Sequence, residues 1–307
     1  MCSSDLVSPD GRVLVADEVR EVTSTVFGPD KQQRDVTWYG QAECRDISDD
    51  GKRLLFTERA TSGGKPGVFL GFADGAPPTY LGPGEAMALS RDQKWVLAVQ
   101  REHSGEPEAE HLILIPTGEG QTRVLPRDGL MRNRWGASWF PDNKHYLFIG
   151  KSFRKSRDEY ALFVGSLDAD KPRQMTDWEG GFPRFPSISP DGREVACDRG
   201  DEITVYPVSR GAPRKLPGIR PAVVLRWSAD ARKFAVGEPR APKGIGEWFG
   251  LLDVQSGKKE EILSPSAQGV DPAGFIGGDD KLTPDGRAMF DCSGRVLNAL
   301  YLVEGVR

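Results

Sequence analysis

A Pro-Asp-Gly turn between two short apolar runs constrains this chain more than any other feature, because it comes back along the whole length. In SISPDGREVACD (187–198), Pro190 presets φ near −65° for the second position of a tight turn. Asp191 can bond its own backbone, and Gly192 accepts the positive φ that a following bulge requires. Residues 194–198 then alternate polar and apolar, as a strand with one buried face should. The unit recurs as VSPDGRVLVAD (7–17), ISDDGKRLLFTE (47–58), LSRDQKWVLAVQ (89–100), WFPDNKHYLFIG (139–150), ISPDGREVACD (188–198), WSADARKFAVG (227–237) and LTPDGRAMFDC (282–292).

The turn aspartates of these seven copies are Asp10, Asp50, Asp92, Asp142, Asp191, Asp230 and Asp285, at intervals of 40, 42, 50, 49, 39 and 55 residues. Each interval suits four short strands and their turns, which is the spacing of propeller blades. A third apolar run follows most copies, as in GVFLGFADG (67–75) and YALFVGSLDAD (160–170), and a short fourth run follows that, as in RQMT and RKLP. The pattern predicts an all-β fold, a β-propeller of about seven four-stranded blades, with residues 7–307 forming one domain.

Charge and apolar content narrow the function. With 41 basic and 45 acidic residues the net charge is −4, which gives no electrostatic reason to expect nucleic-acid binding. The run Lys151-Ser-Phe-Arg-Lys-Ser-Arg157 is followed at once by acidic residues and reads as a solvated loop. The longest apolar runs, such as Leu112–Ile115, are far too short to insert in a bilayer. Cys2, Cys44, Cys197 and Cys292 have no metal-ligand spacing. Cys197 and Cys292 fall at similar places on second strands and are expected to be small buried residues. Nothing in the spacing suggests a disulfide.

No catalytic or cofactor signature stands out. There is no G-x-S-x-G elbow, Walker loop, dinucleotide fingerprint, H-E-x-x-H, H-R-D or D-F-G. Of the three histidines, His103 and His111 lie in a charged loop and His145 beside a turn. Carboxylates concentrate in turns and variable loops, away from the inner strands where a glycosidase pair would sit. The chain is therefore expected to bind rather than catalyse, without cofactor or metal.

In a propeller the loops entering the inner strands share a face with the second-to-third strand loops, opposite the Pro-Asp-Gly turns. Arg132, Arg134 and Trp135 in RDGLMRNRWGA, and Trp178, Phe182 and Arg184 in DWEGGFPRFP, are the residue types enriched at interface hot spots. They are the candidate rim of a binding surface for a protein or peptide partner, or an unidentified small ligand. The alternative for Trp135, and for Phe185 in the second segment, is wedging between blades.

The SPDG repeat resembles the TolB-like family of WD-like propeller repeats over nearly the whole chain. Segments 32–58, 87–100, 135–150, 223–236 and 282–307, above all LNALYLVEGVR, are similar to the C-terminal propeller of bacterial eukaryotic-like serine/threonine kinases. That resemblance implies a sensor or scaffold on the periplasmic side of the inner membrane. A periplasmic TolB-type interaction protein, or the propeller of a prolyl-oligopeptidase-like peptidase, are the alternatives. MCSSDL (1–6) is similar to translated sequencing-adapter sequence. A non-native leader, missing upstream blades and a last blade lacking its fourth strand are therefore expected.

Overall fold

The computed structural model describes residues 6–7, 13–28, 32–59, 65–101, 110–126, 131–151, 159–180, 184–199, 202–209, 211–216, 223–239, 247–263 and 281–303. All regular structure among them is β. Strands β1 (Leu6–Val7), β2 (Val13–Phe27) and β3 (Gln33–Asp35) come first. Blade 1 is β4 (Ala42–Ile47), β5 (Arg53–Glu58), β6 (Gly67–Phe72) and β7 (Thr79–Pro83). Blade 2 is β8 (Glu85–Leu89), β9 (Trp95–Arg101), β10 (Glu110–Pro116) and β11 (Arg123–Val124). Blade 3 is β12 (Met131–Trp139), β13 (His145–Lys151), β14 (Glu159–Ser166) and β15 (Arg173–Gln174), with β16 (Glu179–Gly180) also pairing β14. Blade 4 is β17 (Arg184–Ile188), β18 (Glu194–Asp198), β19 (Ile203–Pro207) and β20 (Arg214–Leu216). Blade 5 is β21 (Val223–Trp227), β22 (Lys233–Pro239), β23 (Glu247–Asp253) and β24 (Lys259–Leu263), and the chain ends in β25 (Lys281–Leu282) and β26 (Met289–Val303).

The last sheet joins both ends of the chain. Its order is β1-β2-β26-β25, with β3 on the other edge of β2. β25, the start of β26, the end of β2 and β3 thus occupy the four positions of blade 6. The described residues form six blades, not about seven, because the first repeat copy shares the sheet of the last. Its turn, including Asp10, lies outside the described residues. The expectation of a last blade without a fourth strand is also corrected: β3 fills that place, paired as Phe27↔Gln33 to Thr25↔Asp35. The first strands of neighbouring blades touch in succession around the ring, and β25 returns to β4.

Packing explains why the ring holds. Among the described residues the buried apolar side chains fall into six clusters, each between two adjacent blades. One joins Leu55, Val68 and Leu70 to Ala86, Val96 and Ile113, and another joins Leu97 and Leu112 to Trp139, Tyr146 and Phe148. The blade 6 to blade 1 cluster joins Val26, Val36 and Phe290 to Ile47, Leu54 and Phe56. The central strands are consequently buried on both faces. Residues 195–198, read from their alternation as half-exposed, are all buried, Asp198 included. Each blade's apolar faces are covered only by its neighbours, so closure of the ring completes the core.

The repeat turn is held by one recurring set of bonds. Ser48, Ser90, Ser189, Ser228 and Thr283 donate through their hydroxyls to Asp50, Asp92, Asp191, Asp230 and Asp285 at 2.5–2.7 Å. Each aspartate also accepts a backbone N–H two residues on. In blade 3, Phe140 replaces the hydroxyl residue, and Asp142 instead takes His145 Nδ1 at 2.5 Å. The turn position after each aspartate has positive φ, glycine in three blades.

Cys44 on β4 and Cys292 on β26 form a disulfide across the blade 6 to blade 1 seam. This corrects the expectation that Cys292 is simply a small buried residue. The pairing partner lies 248 residues away and is brought near only by ring closure. Cys197 is buried and free as expected, and burial pushes its thiol up to about 12.

Candidate functional site

The inner strands carry a recurring irregularity that aims their side chains. Register shifts fall between Cys44 and Asp46 on β4, Ala86 and Ala88 on β8, Arg132 and Ala137 on β12, Arg184 and Ser187 on β17, and Val224 and Arg226 on β21. An extra residue at such a bulge locally twists the strand and re-aims the side chains beyond it. Charged side chains gather at both ends of the axis around these points.

At the variable-face end, the starts of β4 and β8 meet the end of β5. Arg59 donates from Nε to Glu43 Oε1 at 2.8 Å and from Nη1 to Glu85 Oε1 at 3.3 Å. Arg45, the bulged residue, pairs with Glu43 from the other side. Glu85 has a side chain only 2% exposed, while that of Arg59 is 30% exposed. Glu85 Oε2 accepts no hydrogen bond, though Arg59 Nη2 lies 3.3 Å from it. The hydrogen bond from Glu43, reinforced by the charges of Glu43 and Glu85, holds the Arg59 guanidinium above its ordinary range. Two guanidiniums and two carboxylates from blades 1 and 2 thus form a charged corner at the mouth.

At the turn-face end, Arg226 of blade 5 reaches past blade 6 to blade 1. Its Nη1 donates to Ile47 O at 2.9 Å and Leu282 O at 3.5 Å, and its Nη2 to Asp49 Oδ1 at 2.6 Å. Asp46 lies 3.8 Å from Arg226 and accepts the backbone N–H groups of Ile47 and Leu89, each at 2.9 Å. Burial raises the Asp46 carboxyl despite Arg226, these two bonds and Lys281. Burial lowers the Arg91 guanidinium, with nearby Arg226 adding to it and Asp49 opposing. This network ties blades 1, 2, 5 and 6 together at the turn-face end.

The rim expected from sequence is only partly placed. Arg132, Arg134 and Trp135 lie on β12 and Arg184 on β17, at the variable-face halves of inner strands, but their side chains lie outside the described residues, as does Phe182. Trp178 is half-buried against Phe163, ring centroids 5.7 Å apart, on the blade 2 to blade 3 cluster. Glu43, Asp46 and Glu85 correct the expectation that carboxylates avoid the inner strands. The charged letters in AECRDI and EAMAL, immediately before repeat turns, were the available signal. Among the described residues no three His, Cys, Asp or Glu side chains converge as a metal site would need.

No protein-family model and no curated protein sequence matches this chain. Its fold does match solved structures. A TolB-type protein of Agrobacterium tumefaciens superposes with a TM-score of 0.66 at 18% identity, covering 91% of this chain and 99% of that one. TolB from Acinetobacter baumannii gives 0.58 at 19% identity, covering 82% and 67%. An oligogalacturonate lyase of Vibrio parahaemolyticus gives 0.54 at 10% identity, covering 91% and 98%. These likenesses establish the architecture, a β-propeller whose structural neighbours include TolB-like propellers.

Proposed function

We propose that this chain is a non-catalytic protein-interaction propeller of the TolB type, working outside the cytoplasm. The observation that carries the reading is the charged corner at the variable-face mouth. It presents charges paired between inner strands β4 and β8 and the residue that follows β5, an arrangement that favours selective docking of a complementary protein surface. The Cys44–Cys292 disulfide supports an oxidising compartment such as the periplasm, since such bonds persist mainly there.

The test uses the disulfide-bonded chain as bait in a bacterial envelope extract, beside Arg59→Glu. A partner held by the wild type and lost with the reversed charge supports the reading. Equal capture by both, or capture of nothing, overturns it.

The finer reading, a sensor domain of a receptor-like bacterial Ser/Thr kinase, rests on the resemblance of segments such as 282–307. Sequencing the gene through its 5′ boundary tests it. An open frame running into a membrane helix and a kinase supports it; a true start near Met1 removes it.

A further inference from the structure

We infer that the partner group received at the variable-face mouth is a cation, a guanidinium or ammonium, seated on Glu85 in the place Arg59 now takes. This deepens the interaction reading above and rests on it.

The first observation is Glu85 itself. Its side chain is almost wholly buried, at the first residue of inner strand β8, and one carboxylate oxygen accepts no hydrogen bond. An ionised carboxylate can accept about four. A buried carboxylate oxygen with an ion-pair neighbour at 3.3 Å but no hydrogen bond is incompletely satisfied, and a positively charged hydrogen-bond donor completes it most strongly.

The second observation is how Arg59 is held. It bonds Glu43 at 2.8 Å but meets both oxygens of Glu85 only at 3.3 Å. Its side chain is part-exposed and follows directly after β5, on the face of the variable loops. The guanidinium can therefore keep Glu43 and release Glu85 without disturbing a strand. Arg59 acts as a tethered stand-in for an incoming cation.

The third observation is the charge count of the corner. Arg45 is set against Glu43. When Arg59 turns to Glu43 alone, both guanidiniums of the corner face Glu43 and the buried Glu85 is left without a cation beside it. A Lys or Arg side chain, or a chain-terminal ammonium, supplies that counter-charge, whereas an anion would meet the Glu85 carboxylate directly.

Agmatine, a small guanidinium compound, is the probe, titrated calorimetrically into the disulfide-bonded chain. Arg59→Ala is expected to bind it at least about tenfold more tightly than the wild type, the loss expected when a charged hydrogen bond is withheld. Arg59→Ala with Glu85→Gln is expected to lose that gain. Arg59→Met, which keeps the apolar stem, replaces the alanine variant if circular dichroism shows that one unfolded. The inference is overturned if the folded Arg59 variant binds agmatine no better than the wild type, if Glu85→Gln leaves the gain intact, or if acetate binds equally well. Because the probe needs no protein partner, absent agmatine binding alongside Arg59-dependent partner capture removes only the cation assignment. Agmatine binding with no captured partner leaves the pocket standing and removes the interaction reading.

Discussion

Gln93, Asn143 and Ala231 occupy the left-handed position of the repeat turn, with φ of 59°, 56° and 58°, where the other three described turns have glycine. That backbone costs an L-residue about 1–2 kcal/mol. Two of the three gain something in return. Asn143 Oδ1 accepts the backbone N–H of Asp92 in the preceding blade, and Gln93 bonds Asp50 in the blade before its own. Ala231 has no polar side chain with which to do the same. Ala231→Gly is therefore expected to raise stability by about 0.5–1 kcal/mol in urea denaturation, after glycine's backbone entropy is counted. Asn143→Gly is expected to lower it, and equal gains from both would refute the distinction. The turn aspartates also set an acid limit. The hydrogen bond from Ser189 lowers the Asp191 carboxyl, and that from Ser228 lowers Asp230. A depressed native value means stability present above the unfolded value of about 3.9 and lost as pH falls through the native one. Replacing both aspartates with asparagine should flatten the fall in urea midpoint below about pH 4. An unchanged acid limb would assign that fall elsewhere.

At the scale of elements, the blades were legible because their signal is local. Every repeat turn from Asp50 onward sits between a first and a second strand, as Ser48-Asp49-Asp50-Gly51 does between β4 and β5. What escaped depends on distant pairing. The Asp10 copy has the same letters as the others, yet its flanking strands β1 and β2 join the sheet of β26, a ladder running from Val13↔Val303 to Phe27↔Met289. No local residue records that registry. The disulfide escaped for the same reason, since Cys44 and Cys292 become neighbours only once β4 and β26 meet at the seam. Closing so long a loop in the unfolded chain, the bond is expected to contribute about 2–5 kcal/mol. Reduction, or Cys44→Ala with Cys292→Ala, should lower the melting temperature accordingly, and an unshifted melt would show that the seam does not need it. Among the candidate rim residues, the contact of Trp178 with Phe163 was not legible, because Phe163 lies on another strand. The bulges beside Glu43, Asp46 and Glu85 likewise leave no mark in composition.

At the scale of the whole molecule, one side chain spans the ring closure at the turn face. Arg226 joins blade 5 to Ile47 and Asp49 of blade 1 and to Leu282 of blade 6, and it is the foremost cation offsetting the buried charge of Asp46. Removing it breaks bonds to two carbonyl groups and leaves that carboxylate less compensated, so Arg226→Ala is expected to cost about 2–4 kcal/mol. The pH dependence is set by the sign of the Asp46 shift. A carboxyl raised in the folded state binds its proton more readily there than in the unfolded chain, so it subtracts stability as pH rises from about 3.9 through the native value. Without Arg226 the native value climbs further, and the loss in Arg226→Ala should be smaller at pH 4 than at pH 7. Adding Asp46→Asn removes the charge that Arg226 had offset, and the double variant should be more stable at neutral pH than Arg226→Ala alone. Urea denaturation of the four-member cycle measures this coupling. If Asp46→Asn deepens the loss instead, Asp46 matters chiefly through its bonds to Leu89 and Ile47, and the turn-face end is held by hydrogen bonding between blades 1 and 2 rather than by charge across the axis.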